Sequence, residues 1–475
     1  MTLRGLTLGY FLGGRATTKY EGPKLLFFEI LIGSALIILM PFLALVIMPA
    51  TSGLGIRMGS LITSIVFMMP PLVCMGMVSP TIIQLSNSQL KDTGKTAGTV
   101  YAISTVGGIL MTLLMGFFML PELGIRISLY FAASPLAILA FVLMLKTKNF
   151  KEMTYSVITL IIVFMMTTGS SFKDPNLELK YLYKSEGILG QISVLHNPDE
   201  DSGIIYRHLF INHIAQTWVN EKHLSYSQWH YPHRFSALSS IKPAGSKALL
   251  IGLGGGSIGM EFKRLGFEVD VVELDARIPE VAETYFGFDP EGMDIFLDDG
   301  RHYFKSTEEK YDIILIDVLS GESQPHHLFT MESLEEIKAI LNPDGLLLIN
   351  NQGYLQGPHS LGARSIYKTL VEAGFNTEIF KSKKDGGDIH FMASPGQLDF
   401  QALNEERMNP CCRQIAHGYR DLVTDFTVDI SDALILRDDK PKLELLNVFQ
   451  NEEWRKTALG AIIKREKDNN IPFFK

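Results

Sequence analysis

The amino-acid sequence predicts an α-helical multi-span membrane domain followed by an α/β domain with a mostly parallel sheet. The first observation is a series of charge-poor stretches of about 20 residues in the first third of the chain. The second is a strand, glycine turn, helix and strand at 247–275, which reads KALLIGLGGGSIGMEFKRLGFEVDVVELD. A chain of 475 residues is also too long for one ordinary core, so we expect two or three domains.

The distribution of charge divides the chain in the same way. Residues 1–172 contain 11 Lys and Arg and 5 Asp and Glu, whereas residues 173–475 contain 32 and 46. The acidic second part argues against a nucleic acid as partner and is compatible with a cationic substrate. The three cysteines, Cys74, Cys411 and Cys412, indicate no disulfide framework.

Five stretches in the basic part are long enough to cross a membrane. They are Ile30–Ala50, Met58–Pro80, Thr96–Pro121, Ile127–Leu145 and Met153–Phe172. If all of them cross, eight of the ten Lys and Arg that flank them fall on one side, which places that side in the cytoplasm. We expect a multi-pass protein of the inner cell membrane that contacts membrane lipid. We also expect its soluble part in the cytoplasm, although a crossing by the fifth stretch, which is rich in Ser and Thr, would place it outside.

We expect four regions: the membrane domain at 1–172, a small β-rich lobe at 173–240, the α/β domain at 241–400 and a helical extension at 401–475. In the lobe, Gly190–Leu195 and Tyr206–Asn212 have strand patterns. A cluster of aromatic and histidine residues follows, and it includes Tyr226, Tyr231 and His233. These rings either form the wall of a pocket for a cationic amine or belong to an amphipathic helix that packs against the sheet.

The glycine-rich turn at the start of the α/β domain predicts a ligand site. It follows an apolar run that is typical of a buried parallel strand. The glycines are Gly252, Gly254, Gly255 and Gly256. At these positions the backbone turns sharply and allows a ligand to approach, and the amides at the start of the next helix face that ligand. Glu273 ends the next strand and is suited to accept hydrogen bonds from ribose hydroxyls, so we expect a nucleoside.

Two later strands also end in acidic residues. The third strand precedes Asp298-Asp299-Gly300, and Tyr311–Asp317 forms the fourth. Because the carboxyl ends of parallel strands form the ligand-binding edge of such a sheet, we expect these acids to meet Glu273 at one site. The glycine spacing formally fits a dinucleotide fingerprint, but the further acids favour an adenosylmethionine-type ligand. A hairpin that closes the domain predicts an antiparallel edge strand.

From about residue 187 to 394 the chain resembles the spermidine synthase (polyamine aminopropyltransferase) family, which has a class I methyltransferase-like, Rossmann-like fold. The segments that carry this resemblance read GILGQISV, INHIAQT, LLIGLGGGSIG, VVELD, LDDGRHYF and YDIILIDVLSGE. The front of the chain, with LGYFLGGR and VSPTI, is similar to the membrane-fused branch of the family. The resemblance implies transfer of an aminopropyl group from decarboxylated S-adenosylmethionine to a small amine or polyamine. A homodimer is compatible with the resemblance.

The resemblance also implies roles for the matching residues. The donor would be held by Gly252, Gly254, Gly255, Gly256, Glu273, Asp299, Gly300 and Gln216. Asp317 matches the acid that receives or orients the proton of the attacking amine. An ammonium group is no nucleophile until it loses that proton, so an acid is needed at this position. For the amine, the resemblance points to the position of Ser320 and the nearby Glu322, and the aromatic cluster adds Tyr226 and Tyr231 as candidate contacts.

At two positions the chain departs from the family's pattern, and these departures leave the identity of the acceptor amine open. Soluble family members carry acids at the positions of Ser257 and Ser320, and Glu322 is a candidate substitute for one of them. The alternatives are therefore another transfer from S-adenosylmethionine, such as methyl transfer, and a transporter or sensor that binds an adenosyl ligand without turnover.

Two further groups of residues have no assigned catalytic role. His326 and His327 are adjacent and have no partner at the spacing of a metal site, so we expect no metal. Asp438 and Asp439 precede a predicted C-terminal helix. They either cap that region, which we expect, or line the cleft.

Overall fold

A computed structural model describes residues 2–52, 54–86, 93–147, 180–199, 202–319, 324–381, 387–398, 405–407 and 427–457, together with residues 154, 158 and 161. The chain forms two compact units. The first is built mainly on Met1–Leu177 and the second mainly on Gln191–Ile462. The predicted fifth apolar stretch, Met153–Phe172, lies almost entirely outside the described residues.

The first unit is helical. Its helices are α1 (Thr2–Ala16), α2 (Gly22–Ser52), α3 (Gly55–Ser86), α4 (Thr93–Leu114), a short π-helix (Met115–Met119) and α5 (Leu120–Thr147), which breaks at Gly124. Among the described residues, three segments are long and apolar enough to cross a membrane by length and composition: Gly22–Met40, Arg57–Ser86 and Gly94–Ile125. Ile127–Leu143 is a shorter apolar helix, so the predicted fourth crossing stays a prediction.

Small residues allow α1 to lie close to α3. Gly5, Gly9 and Gly13 are buried along one side of α1. A Cβ atom at Gly9 would lie 2.5 Å from the carbonyl oxygen of Val73, so only glycine permits this approach. Close helix contacts through small residues are typical of packing in a membrane, where side chains gain no hydrophobic energy by leaving lipid.

The second unit begins with a five-stranded antiparallel sheet in sequential order. Its strands are β1 (Lys180–Gly187), β2 (Gly190–Pro198), β3 (Ile205–Ile211), β4 (Ile214–Asn220) and β5 (His223–Ser227). The two predicted strands of the lobe are β2 and β3. Leu209 and Val219 of this sheet are fully buried and belong to the core that also covers one face of the next sheet.

The larger sheet has seven strands. They are β6 (Lys247–Ile251), β7 (Glu268–Glu273), β8 (Met293–Leu297), β9 (Tyr311–Ile316), β10 (Leu341–Gln352), β11 (Asn376–Lys381) and β12 (Asp388–Ser394). The helices between and before them are α6 (Tyr231–Ser239), α7 (Ser257–Arg264), α8 (Ile278–Phe286), α9 (Gly300–Ser306), α10 (Met331–Ile340) and α11 (Leu361–Glu372). A four-residue helix, α12 (Leu443–Leu446), follows, and residues 448–457 are helical.

The strand order of the larger sheet is β11-β12-β10-β9-β6-β7-β8. The five strands from β10 to β8 run parallel, and β12 runs antiparallel to both of its neighbours. The antiparallel strand is therefore β12, inside the sheet, and the predicted antiparallel edge strand is wrong in position. The chain forms the edge strand β11 first, and β12 then returns between β11 and β10. The edge strand β11 therefore has the same direction as the five parallel strands.

Local signals in the sequence agree with the helix ends. Thr330 caps α10 by accepting a hydrogen bond from the Ser333 amide at 3.2 Å. Pro279 lies in the first turn of α8, where its missing N–H needs no partner. The expectation that Asp438 caps the C-terminal region is wrong. Its carboxylate instead binds Arg301, with oxygen–nitrogen distances of 3.0 and 2.9 Å, because the buried guanidinium needs acceptors there.

Candidate functional site

The site lies where the order of the parallel strands reverses, between β6 and β9. The Asp317 amide donates to the carbonyl of Ile251 at 2.9 Å, so the last residues of the two strands stay paired as the chains leave the sheet. The chain leaves β6 towards β7 on one side of the sheet order and leaves β9 towards β10 on the other side. These two connections diverge, which opens a crevice at the carboxyl ends of the strands. The glycine turn follows β6 and Asp317 follows β9, while Glu273 and Asp299 lie at the carboxyl ends of β7 and β8.

The glycine turn is shaped by two close approaches. Gly252 has φ +91°, and a Cβ atom there would lie 2.3 Å from the carbonyl oxygen of Asp317. At Gly255 a Cβ atom would lie 2.5 Å from the Thr217 methyl group. Gly254 and Gly256 also have positive φ, and Gly256 ends the turn as the N-cap of α7. Larger residues would therefore push the turn away from both β9 and the smaller sheet.

The smaller sheet contributes β4 to the site. The Thr217 hydroxyl accepts a hydrogen bond from the Gly255 amide at 2.8 Å, which joins the two sheets at the glycine turn. The preceding residue is Gln216, which the resemblance assigns to the donor site. Its buried side-chain nitrogen has no hydrogen-bond partner among the described residues. A buried amide donor without a partner is costly unless a ligand or water accepts its hydrogen bond.

Glu273 ends β7 with its carboxylate fixed by the backbone. One oxygen accepts from the Leu253 amide and the other from the Asp275 amide, each at 2.9 Å. Burial raises the pKa of Glu273, and these two hydrogen bonds oppose that rise. Each oxygen keeps a further lone pair, so the carboxylate is oriented beside the glycine turn and is still able to accept hydrogen bonds from a diol.

Asp299 and Gly300 lie after β8. One oxygen of Asp299 caps α9 by accepting from the amides of Arg301 and His302, at 2.9 and 3.2 Å. The other lies 3.1 Å from Nε2 of His327. Gly300 packs so closely that an added Cβ atom would lie 2.7 Å from the Ile251 side chain. Asp299 is therefore a helix cap as well as a candidate ligand residue.

Asp317 follows β9 and has two polar partners. Asn350 of β10 donates its side-chain N–H to the Asp317 carboxylate at 2.8 Å, and the Tyr231 hydroxyl also binds this carboxylate. Burial raises the pKa of Asp317 to about 6, with a smaller rise from Asp388, while both hydrogen bonds act to lower it. The carboxyl group is thus mostly ionised at neutral pH and close to the range where it exchanges a proton readily.

The predicted aromatic cluster divides between two roles. Tyr231 starts α6 and contacts Asp317, and burial next to that carboxylate raises the pKa of Tyr231. Tyr226 is the penultimate residue of β5 and stacks on His233, with ring centroids 4.6 Å apart. Phe235 of α6 is fully buried in the core. His233 and Phe235 thus pack inside the domain, as the helix interpretation predicts, whereas a pocket for a cationic amine beside Tyr231 stays a prediction.

Several predicted amine-binding positions have no described geometry. Ser320 and Glu322 lie outside the described residues. Ser257, at the start of α7, has a buried hydroxyl without a partner among the described residues.

The described part of the chain contains no cluster of three or more His, Cys, Asp or Glu side chains that could hold a metal. His326 instead contacts the Arg437 carbonyl, 3.0 Å from its Nε2.

Sequence reasoning missed four residues at the site: Thr217, Arg234, Asn350 and Asp388. Asn350 lies near the carboxyl end of the apolar strand β10, and a polar residue at such a strand end was the available signal. Arg234 and Asp388 come from distant parts of the chain and form an ion pair, with Nη1 and Oδ2 3.5 Å apart. Only the packing of α6 against β12 brings them together.

The strand order, the glycine turn after β6 and the acids after β7, β8 and β9 define a class I methyltransferase-like, Rossmann-like domain. In sheets of this class the crevice at the reversal point is the usual nucleoside site. Within this class, residues 236–373 match the family model of the spermine/spermidine synthase domain. This matched region lies in the second unit, after the apolar helices of the first.

Known proteins similar to this chain include aminopropyltransferases and methyltransferases. A polyamine aminopropyltransferase of Vibrio vulnificus is 36% identical over 129 residues, which is 26% of this chain and 43% of that protein. An N-terminal histidine N-methyltransferase of Emericella nidulans is 31% identical over 142 residues, 29% of this chain and 24% of that protein. The chain thus spans less than half the length of either relative. The crystal structure of a spermidine synthase from Thermotoga maritima is 18% identical, with a TM-score of 0.39, over 59% of this chain and 88% of that one.

Proposed function

We propose that this chain is a membrane-anchored aminopropyltransferase-like enzyme of polyamine biosynthesis. It would transfer an aminopropyl group from decarboxylated S-adenosylmethionine to a small amine. The observation that carries the proposal is Asp317 at the strand reversal point, one strand away from the glycine turn and held by Asn350 and Tyr231. The family-model match over 236–373 supports the same reaction class.

The donor would lie along the glycine turn. Gly252, Gly254, Gly255 and Gly256 leave room for the nucleoside, and the oriented Glu273 carboxylate would accept hydrogen bonds from both ribose hydroxyls. The unpartnered Gln216 nitrogen supports a ligand at this place, because its buried N–H needs an acceptor. Asp299 and Gly300 would contact the adenine from the end of β8.

Asp317 would act on the acceptor. The lone pair of the amine nitrogen forms a bond to the carbon attached to the sulfonium, and the C–S bond breaks with its electron pair going to sulfur. The products are the alkylated amine and methylthioadenosine, a neutral thioether. The nitrogen must lose a proton, which Asp317 accepts or orients, and Tyr231 and Asn350 keep the carboxylate aimed at that nitrogen.

Methyl transfer from S-adenosylmethionine is the second candidate reaction. The similarity to the N-terminal histidine N-methyltransferase of Emericella nidulans favours it. The donor site would be the same in both reactions, and only the group on the sulfonium that faces the acceptor would differ. A transporter or sensor that binds an adenosyl ligand without turnover is the remaining alternative, and the position of Asp317 argues against it.

The direct test is product release by the full-length protein in detergent. The protein is incubated with decarboxylated S-adenosylmethionine and a set of primary amines, and methylthioadenosine is quantified. We expect release by the wild type and a decrease of roughly 100-fold or more for Asp317→Asn, since that residue cannot accept a proton. Asp289→Asn is the matched control, because Asp289 pairs with Lys263 at 2.7 Å away from the site.

Two outcomes would overturn the proposal. Methylthioadenosine release that is equal in the wild type and Asp317→Asn would remove Asp317 from the mechanism. Donor binding without release for any amine would favour the ligand-binding alternative. S-Adenosylhomocysteine formed from S-adenosylmethionine, without methylthioadenosine from either donor, would identify methyl transfer instead.

A further inference from the structure

We infer that His327 is a positioning residue at the donor site, which fixes the Asp299 carboxylate so that it accepts a hydrogen bond from the 6-amino group of the adenine. This inference rests on the proposed function, because it concerns the donor of the same reaction. His327 belongs to the histidine pair for which the sequence indicates no role. It lies in a short 3-10 turn (His326–Leu328) that follows β9 and precedes α10.

The Asp299 carboxylate is held by two different elements. Its Oδ1 accepts from the amides of Arg301 and His302 at the start of α9. Its Oδ2 lies 3.1 Å from Nε2 of His327. A carboxylate has no proton to donate, so in this contact the imidazole donates its Nε2–H. Because donors from two elements hold opposite oxygens, the carboxylate cannot rotate without losing one of these hydrogen bonds.

A ligand can reach this contact from solvent. The Asp299 side chain is 39% exposed and the His327 side chain is 47% exposed. An oxygen atom accepts up to two hydrogen bonds, so Oδ2 can accept one from a base while it accepts one from His327. An exposed pair of this kind adds little to the free energy of unfolding, so removal of the imidazole should leave the fold intact.

Arg301 fixes the backbone of His327. The Arg301 side chain is 7% exposed, and its Nη1 donates to the His327 carbonyl at 2.6 Å. The same guanidinium binds both oxygens of Asp438, at 3.0 and 2.9 Å. Asp438, which precedes the C-terminal helix, is thus linked to the donor site through Arg301 and His327.

The buried His326 fixes the same turn through its ring. Its Nδ1 accepts from the Leu443 amide at 3.4 Å, so its Nε2 carries the proton and donates to the Arg437 carbonyl at 3.0 Å. The segment 437–443 therefore supports the turn through His326 as well as through the Asp438–Arg301 pair. His327 is directed at Asp299 from a backbone that both contacts hold in place.

An acceptor that is fixed in this way discriminates between purine bases. The 6-amino group of adenine donates to Oδ2 of Asp299, whereas the 6-oxo group of hypoxanthine places a second acceptor against the carboxylate. Without His327 the carboxylate is held at Oδ1 alone, and Oδ2 is able to turn into water. Binding of an adenine nucleoside should then weaken, and binding of a hypoxanthine nucleoside should change little.

The test compares methylthioadenosine with methylthioinosine, which has a 6-oxo group in place of the amino group. The binding of each to the full-length protein in detergent is measured by calorimetry. We expect the wild type to bind methylthioadenosine roughly tenfold or more tightly. His327→Leu should reduce this ratio by about threefold or more through weaker methylthioadenosine binding, whereas His327→Gln, which keeps an N–H donor, should retain most of it.

Two further variants show whether His327 acts through Asp299. In Asp299→Asn the ratio should be low or reversed, and the addition of His327→Leu should not change it further. His302→Leu is the matched control, because the His302 ring pairs with the neighbouring Asp298 at 2.6 Å and the substitution keeps the backbone amide. It should leave the ratio within about twofold of the wild-type value.

Three results would overturn the inference: no preference in the wild type, an unchanged ratio in His327→Leu, or an equal loss of affinity for both nucleosides. The last of these would indicate a purely structural role. Failure of the proposed function gives a different result, because methylthioadenosine would bind with the expected ratio but no amine would lead to its release from the donor.

Discussion

At the scale of single residues, the groups around Asp317 have opposing effects on its pKa. Burial and the nearby Asp388 carboxylate favour the neutral acid, whereas hydrogen bonds from Asn350 and Tyr231 favour the ionised form. The result is a pKa raised to about 6. In the proposed reaction the ionised form is needed, so activity should rise as the pH rises through this pKa and level off above it.

This balance gives a prediction for Asn350→Leu. Loss of the 2.8 Å hydrogen bond removes a group that stabilises the carboxylate, so the pKa of Asp317 should rise by about one unit. The acid limb of kcat/KM against pH should move upward by the same amount, from near pH 6 towards pH 7. Methylthioadenosine release at a series of pH values measures this shift.

Asn342→Leu is the control for that prediction. Asn342 also donates its side-chain N–H to an aspartate, Asp312, at 2.7 Å, but at the start of β10 rather than its end. The acid limb of kcat/KM against pH for Asn342→Leu should coincide with that of the wild type. An acid limb that stays in place for Asn350→Leu would show that a group other than Asp317 controls the rate.

The residues that sequence reasoning found and missed differ in a physical way. Glu273, Asp299 and Asp317 follow apolar strands directly, so their place at one sheet edge could be predicted from chain order alone. Thr217, Arg234 and Asp388 act through contacts with segments far away in the sequence. Their side chains carry no local signal, because such contacts depend on how the two sheets and α6 pack together.

At the scale of elements, the glycine turn depends on its contact with β4. An alanine at Gly255 would place its Cβ atom 2.5 Å from the methyl group and 2.8 Å from the hydroxyl of Thr217. The turn would have to move, and the 2.8 Å hydrogen bond between the Gly255 amide and Thr217 would break. We predict that Gly255→Ala weakens methylthioadenosine binding roughly tenfold, measured by calorimetry.

Gly259→Ala tests whether any alanine in this segment has that effect. Gly259 lies two residues into α7, and an added Cβ atom would come no closer than 3.4 Å to Phe288. We expect affinity within about threefold of the wild type, since an alanine suits a helix better than glycine. Equal losses for the two variants would contradict the role given to the contact with Thr217.

The order of elements in the second unit was largely predictable. A short apolar run, a glycine turn and an acid at a strand end recur with βα spacing, and each is a local pattern. The position of β12 was not predictable from such patterns. A hairpin shows that two strands are antiparallel, but not which of them pairs with β10; that choice depends on packing against α6, where Phe235 contacts His390 with ring centroids 4.6 Å apart.

At the scale of the whole molecule, the apolar helices lead to a prediction about localisation. Three described segments, Gly22–Met40, Arg57–Ser86 and Gly94–Ile125, have the length and composition of membrane spans. We predict that the full-length protein stays in the membrane fraction after washing with alkaline carbonate and dissolves only in detergent. Release by carbonate alone would contradict membrane anchoring.

The sequence leaves the side of the membrane open for a physical reason. The excess of Lys and Arg on one side orients the first spans, but each additional crossing reverses the side of everything that follows. The stretch that decides this, Met153–Phe172, is also the most polar of the five. Protease accessibility of the second unit in intact cells would determine whether it faces the cytoplasm, as we expect.

The proposed reaction transfers the aminopropyl group of the donor to an amine. The most direct measurement supplies decarboxylated S-adenosylmethionine and S-adenosylmethionine together with a set of primary amines, and determines the mass of the product amine. We predict a gain equal to one aminopropyl group, with an equimolar amount of methylthioadenosine, and loss of both products in Asp317→Asn. A gain equal to one methyl group, with S-adenosylhomocysteine, would contradict the claim.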